Sequence, residues 1–551
     1  MGREKARLFL FGILGLVLVV FSPVYKGGFV LDDAAVASSR HLSGRPNPLV
    51  AELQPLGRYY GAHYWAGTRE RSPLYRPTTI LSFALTRALL APGGDQVAEA
   101  RAQHIVNLLL YLLAVYLAYR LLRRVAGRFP ALLGTLFFGV HALHTEAVAA
   151  VVGRAELGAF VTGALGWLLF RSSMRSSGGA RWLRLLGAAL ALFLSLTFKE
   201  SGLAWLFLCL LPLKPLREWP ALLRARAAPL LGLLAGVLLP YFLLRSGAEG
   251  LGAVPILPQA NPFAGLPFSQ RLPSAAWVYA HSFRLSLFPF DLSCDYGPWV
   301  FPVLSSLFAP LALVGYLVLG LLFAGLRLGR RLPNLGRGTL VYLLFSLPLS
   351  NLFFPIGTVF ADRLWFTPVL GLSLAIAALA QIPGLKPKFK VGLLLALGFW
   401  ALDSGIVDVQ RSLAWRSEKR LFSHDLRTHP KSVLLHLRLA AILGNEGEKK
   451  REEELLLQAT RLWPDFADSW SQLAAYYLQQ RQWAKGIQAG EKGLRAKILQ
   501  PDTEAQLRWN LAGAYFNRGQ KLRAMQELGI LAEGERFPPS LRARARKALG
   551  R

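Results

Sequence analysis

The chain is 551 residues long, with 53% hydrophobic side chains and a formal net charge of +31. Apolar runs of about 20 residues recur along it, each long enough to cross a bilayer as a helix, which excludes an ordinary soluble protein. The positive charge does not mark a nucleic-acid binder, because Lys and Arg gather in short loops between the apolar runs, as the positive-inside rule describes.

In chain order, the first apolar run covers 8–25 behind the basic start Arg3, Lys5 and Arg7. It lacks a small-residue cleavage site and is expected to be a retained span. Ten further spans are expected at about 101–122, 130–150, 153–170, 183–198, 202–214, 228–244, 306–326, 339–355, 365–382 and 390–408. Basic clusters at 120–128, 171–184, 214–226, 327–337 and 386–390 all fall on the cytosolic side of that arrangement, where anionic lipid is a natural partner. Long outer loops are then expected at 26–100 and 246–305, the second with an amphipathic stretch at 277–288 suited to the membrane interface.

Four polar blocks stand out along this frame. "FVLDDAAVA" places Asp32 and Asp33 just past the first span. A carboxylate there suits a general base for an acceptor hydroxyl, and equally a solvated turn or helix cap. "HALHTEAVAAVVGRAEL" then puts His141, His144 and Glu146 near the outer end of the third span, with Arg154 and Glu156 opening the fourth. Ionisable groups within spans are costly unless paired or wetted. Three readings compete for this block: a metal site drawing on His141, His144, Glu146 and Asp33, a hydrogen-bonded network between two helices, or a seat for a phosphate head group.

"FKESG" adds Lys199 and Glu200 at the end of the fifth span, and "VFADRLWF" adds Asp362 and Arg363 before the tenth. Each could be a paired interfacial anchor. Together with Arg76 of "LYRPTT" and Arg154, however, Lys199 and Arg363 bring four cations to one rim, which suggests a cavity for an anion. There is no Walker loop, no GxGxxG unit and no GxSxG elbow, so a lipid-linked phosphate suits the chain better than a nucleotide.

After about residue 412 the composition becomes charged and helix-periodic. A repeat starts near Val433, Ala467 and Ala505, giving units 433–466, 467–504 and 505–538, the second about four residues longer than the first. The first interval, 34 residues, is the tetratricopeptide period. Trp470, Leu473, Ala474 and Tyr477 occupy that repeat's preferred positions, with small residues at Gly486 and Ala524. The expected architecture is therefore all-α: a membrane domain over 1–411, then a helical solenoid over 412–551 whose concave groove would take a peptide.

The blocks "FVLDDAAV", "LYRPTTILSF", "HALHTEAVAAVVGRAE", "FKESG", "LFPFDLSCDY" and "LSNLFFPIGTVFADRLWFTP", in that order and followed by repeats, resemble the transmembrane-and-tetratricopeptide O-mannosyltransferases. These belong to the GT-C glycosyltransferase superfamily. The chain departs from the family at Ala142, where a proline is usual, at Asp362, often glutamate, and in having few repeats. The resemblance implies a GT-C type membrane domain, a polyprenyl-phosphate donor carrying mannose, and a protein Ser or Thr as acceptor. It also implies Asp32 as base and Asp33 as orienting partner or metal contact, with a divalent metal as a possible cofactor. Arg-, Leu- and Gly-rich usage points to a bacterial plasma membrane with the active face in the periplasm, or to the lumenal face of the endoplasmic reticulum in a eukaryote. A transporter or flippase for an anionic lipid and a non-catalytic repeat scaffold are the alternatives.

Overall fold

A computed structural model describes every residue except 1, 42, 69–71, 212–226, 253–255, 383 and 551. The basic cluster at 214–226 and the end of the 202–214 run lie outside the described residues. Those described form helices and connecting loops, with only isolated backbone bridges and no strand among them. The helices group into two units, residues 1–294 with 301–421 and residues 295–300 with 422–551.

The first unit opens with α1 (Arg3–Phe21), whose basic start precedes an uninterrupted apolar run. It continues through α2 (Pro77–Leu90), α3 (Gln96–Ala126), α4 (Arg128–Gly139), α5 (Arg154–Ser173), α6 (Gly178–Phe198) and α7 (Leu203–Leu210). Then come α8 (Ala227–Ser246), α9 (Phe268–Leu287), α10 (Pro310–Leu328), α11 (Pro333–Ser346), α12 (Val369–Leu379) and α13 (Pro387–Ala414). Asp95 starts α3 as a side-chain cap, accepting from the Ala98 N–H at 2.8 Å.

Among the described residues six helices, α1, α3, α6, α8, α10 and α13, are each long and apolar enough to cross a bilayer. A seventh crossing is available if α4 and the segment Ala142–Ala149 beyond it, bent by 52°, count as one broken span. This is a multi-pass membrane protein, but among the described residues six or seven helices meet the length and composition of a span where eleven are expected. The others fall short for physical reasons. At 8, 14 and 11 residues, α7, α11 and α12 are shorter than a bilayer, and α5 carries Arg154, Glu156 and Arg171.

Packing follows the rules for helices in lipid, where close backbone approach replaces the hydrophobic drive. The side chains of Phe198 and Trp205 lie against Gly158 and Gly163 of α5, so any larger residue there would collide. By contrast α10 exposes Leu313, Leu317, Leu321 and Phe323, an apolar surface suited to lipid. The 277–288 stretch, expected at the interface, forms the second half of α9. Its Tyr279 and Ser282 are buried, and the Tyr279 hydroxyl pairs with Ser346 Oγ at 2.7 Å.

The second unit stacks antiparallel helix pairs: α14 (Val433–Asn445) with α15 (Lys449–Leu462), α16 (Ala467–Gln479) with α17 (Trp483–Leu494), and α18 (Pro501–Asn517) with α19 (Lys521–Glu533). A last helix, α20 (Pro539–Ala548), packs on α19. Leu473, Ala474 and Tyr477 are buried where α16 meets its neighbours, and Ala489 of α17 joins the same core. The four residues that lengthen the interval to Ala505 form one added turn at the start of α18.

Candidate functional site

Where the first loop leaves α1, it turns sharply at Leu31, whose φ of +55° lies in the left-handed region that side chains rarely occupy. Asp32 follows, exposed, and a short helix Asp33–Val36 begins. Asp32 stands at the capping position of that helix without using its carboxylate as a cap. Its side chain makes no hydrogen bond among the described residues. Asp33 is the opposite case. It is fully buried, accepting from the Val152 N–H at 2.8 Å and from the Val30 N–H at 3.2 Å. Burial pushes its carboxyl up to about 7, against the pull of the backbone N–H groups of Val152, Val151 and Val30 and with a small push from Asp32. One aspartate thus anchors the loop and the other is presented.

Three ion pairs are electrostatically linked to this point. Arg76, just before α2, holds Glu200 with two nitrogens, Nε at 3.1 Å and Nη2 at 2.9 Å from Oε2. Lys199, which ends α6, pairs with Glu156 in the first turn of α5. Arg363, in the turn Asp362–Trp365, pairs with Glu146, which also accepts from the Arg363 backbone N–H at 2.8 Å. The Arg76 guanidinium lies over the Tyr64 ring, 5.1 Å from its centroid. Burial raises the Tyr64 phenol above its ordinary range, and Arg76, Asp32, Asp33 and Arg363 all act on it. Glu146, and further off Asp32 and Glu156, hold Arg363 more firmly charged than usual. Eight of the expected site residues are therefore electrostatic neighbours: Asp32, Asp33, Arg76, Glu146, Glu156, Lys199, Glu200 and Arg363.

The pairing changes the expected picture of four unpartnered cations. Each of the three cations here already holds a glutamate, and Asp32 adds a further negative charge. Only part of the cluster is open: Arg363 and Glu200 are about one-third exposed, whereas Lys199, Glu156 and Glu146 are buried. Among the described residues Arg363 Nε and Nη2 and Arg76 Nη1 carry no hydrogen bond, so those edges are the ones that can receive an anion.

Arg154 does not reach this rim. It is fully buried, and each of its nitrogens has an internal acceptor: Asn107 Oδ1 at 2.8 Å from Nε, Thr86 Oγ1 at 2.8 Å from Nη1, and the Gln103 carbonyl at 2.7 Å from Nη2. It ties α2, α3 and α5 together. His141 and His144 are likewise fully buried, with ring centroids 5.4 Å apart. His141 Nε2 meets the Ser286 carbonyl at 2.9 Å, and its Nδ1 accepts from the Leu143 N–H. His144 bridges the Tyr111 hydroxyl at 2.9 Å and the Phe366 carbonyl at 3.2 Å. The segment that follows α4 is bent by 52° from it; both imidazoles are buried there, and Glu146 pairs with Arg363. Of the three readings of this block, the hydrogen-bonded network describes the histidines. Asp33, His141, His144 and Glu146 do not converge. No group of three or more His, Cys, Asp or Glu side chains among the described residues is placed to hold a metal ion.

One part of the site went unread in the sequence. A polar face of α13 meets the bent segment: Ser404 Oγ accepts from the Ala142 N–H at 3.1 Å, and Asp408 accepts from the Thr145 hydroxyl at 2.6 Å. Arg411 approaches Asp362 at 3.7 Å, both buried. The available signal is the spacing of Ser404, Asp408 and Arg411, which puts three polar groups on one helix face inside an apolar run.

No family model matches the chain. Its curated relatives are protein O-mannosyl-transferases. The human Protein O-mannosyl-transferase TMTC3 is 24% identical over 93% of this chain and 58% of its own length. Tmtc3 of Drosophila melanogaster is 28% identical over 87% of this chain and 57% of its own, and human TMTC4 is 28% identical over 79% and 64%. The chain spans about six-tenths of the length of these relatives. Among solved structures, ArnT from Cupriavidus metallidurans, crystallised with undecaprenyl phosphate, is similar with a TM-score of 0.40 and 14% identity, over 95% of this chain and 89% of that one.

Proposed function

We propose that this chain is a membrane glycosyltransferase of GT-C type that takes a sugar, mannose, from a polyprenyl phosphate and attaches it to Ser or Thr of a protein. The names of the curated relatives support the reaction class. The observation that carries the assignment of chemistry is the Asp32–Asp33 pair: one carboxylate exposed and, among the described residues, without a hydrogen bond, its neighbour buried and fixed by the backbone.

Asp32 acts as general base. It takes the proton of the acceptor hydroxyl as that oxygen attacks the anomeric carbon, inverting it, while the bond from that carbon to the phosphate oxygen breaks. Phosphate is a good leaving group once its growing charge is met, so no separate acid is required. The open edges of Arg363 and Arg76 meet that charge, with Lys199, Glu156, Glu146 and Glu200 fixing where the cations stand. Arg154 and the two histidines serve the fold around the site. The active face lies outside the cytosol, and the helix pairs of the second unit, read as tetratricopeptide repeats, grip the acceptor polypeptide.

The test is transfer of radiolabelled mannose from a synthetic polyprenyl-phosphate mannose to a Ser/Thr peptide by the purified chain. Asp32→Asn should lower kcat by about 10²-fold or more, the size of a lost general base. Full activity in that variant would remove Asp32 from the chemistry. If the intact chain moves the donor across vesicle membranes without transferring sugar, the protein is a flippase. If it does neither and only captures partners through its repeats, it is a scaffold.

A further inference from the structure

Among the described residues Asp32 makes no side-chain hydrogen bond, so its direction is set by the backbone beneath it. That backbone is unusual at Leu31, where φ is +55° and a Cβ-bearing residue is disfavoured. The Leu31 amide is held from a distant part of the sequence: its N–H donates to Glu418 Oε1 at 3.0 Å. Two more contacts join the same segments. The Gly28 N–H donates to the Arg416 carbonyl at 3.1 Å, and Arg416 Nε donates to the Pro23 carbonyl at 2.9 Å. Since α13 ends at Ala414, the turn that follows it is strapped directly across the loop leaving α1. Asp33 holds the other flank of Asp32 through Val30 and Val152.

We propose that Glu418 is a positioning residue for the transfer reaction. By capturing the Leu31 N–H it stabilises the left-handed turn that presents the Asp32 carboxylate. The proposal rests on Asp32 being the base. It differs from a purely structural role in what it affects, because the strap acts on where the base stands and leaves the cations that receive the donor untouched.

The experiment uses the full chain with Glu418→Ala, Glu418→Gln, Glu418→Ala combined with Leu31→Gly, and Asp32→Asn, reading kcat, donor KM and the thermal unfolding midpoint. Loss of a carboxylate-to-amide hydrogen bond should lower kcat of Glu418→Ala by about 10- to 30-fold, with donor KM within about twofold of the parent. Glu418→Gln, whose amide oxygen still accepts, should retain most of the activity. Leu31→Gly should restore part of the activity to Glu418→Ala, because glycine enters the left-handed region without a Cβ penalty. An inactive Asp32→Asn beside a fully active Glu418→Ala overturns the strap alone. Full activity in Asp32→Asn overturns the base and the strap with it. A kcat loss that Glu418→Gln shares in full, or that only follows a lowered unfolding midpoint, assigns Glu418 to stability and also overturns the proposal.

Discussion

Replacing Asp33 with asparagine should make the protein less sensitive to alkaline pH. In the folded chain burial holds the Asp33 carboxyl at about 7, against an ordinary 3.8. The folded state therefore keeps its proton through a window in which the unfolded chain has released it. The resulting stability is fully present below the unfolded value and is lost as pH rises through about 7. At roughly 1.4 kcal/mol per pH unit, the gap is equivalent to about 4 kcal/mol once the group is ionised in both states. Asparagine has nearly the shape of the protonated acid and keeps one oxygen for the Val152 or Val30 N–H, so near pH 5 Asp33→Asn should unfold close to the parent. Between pH 5 and pH 8.5 the parent's midpoint should fall by several degrees while that of Asp33→Asn stays nearly flat. Intrinsic tryptophan emission in detergent, followed during heating, reads both curves. Parallel curves across that range would refute the claim that burial, rather than the backbone donors, dominates at Asp33.

Arg363→Ala should lower kcat by about 10²-fold by removing a cation from the leaving phosphate, whereas Arg363→Lys should restore part of it; equal loss in both would point to the paired geometry with Glu146 as the requirement. Arg154→Ala should behave differently, costing about 3–5 kcal/mol of stability because buried polar partners lose their donor, with donor KM unchanged in the folded fraction; a selective rise in donor KM would return Arg154 to the donor site.

The sequence names most members of the polar cluster by residue type and helix-end position, and it does not give their partners. Glu146 and Arg363 are 217 residues apart, and Arg76 and Glu200 are 124 apart. Such pairings are set by how helices cross, which no local pattern encodes. The histidines show the same limit more sharply. The sequence places His141 and His144 near the outer end of one span, whereas the structure breaks that span with a 52° bend and buries both. The spacing of Ser404, Asp408 and Arg411 marks a polar helix face in an apolar run but not what it meets, and the partner of Asp408, Thr145, lies 263 residues away. The repeat starts at Val433 and Ala467 were easier to read, because a helix pair is a local unit whose small and aromatic residues recur at fixed spacing.

The one-to-one pairing of cations with glutamates bears on turnover. In the proposed reaction the sugar donor is a phosphodiester with one negative charge, and the spent carrier is a monoester with about −1.5 to −2. A pocket rich in unopposed positive charge would bind the spent carrier more tightly than the fresh donor and become inhibited by its own by-product. Because Arg76, Lys199 and Arg363 each face a standing carboxylate, the positive charge that the departing lipid meets at the open edges is already largely neutralised. In that proposed reaction the ion pairs would favour release of the spent carrier and leave the cations reset for the next donor.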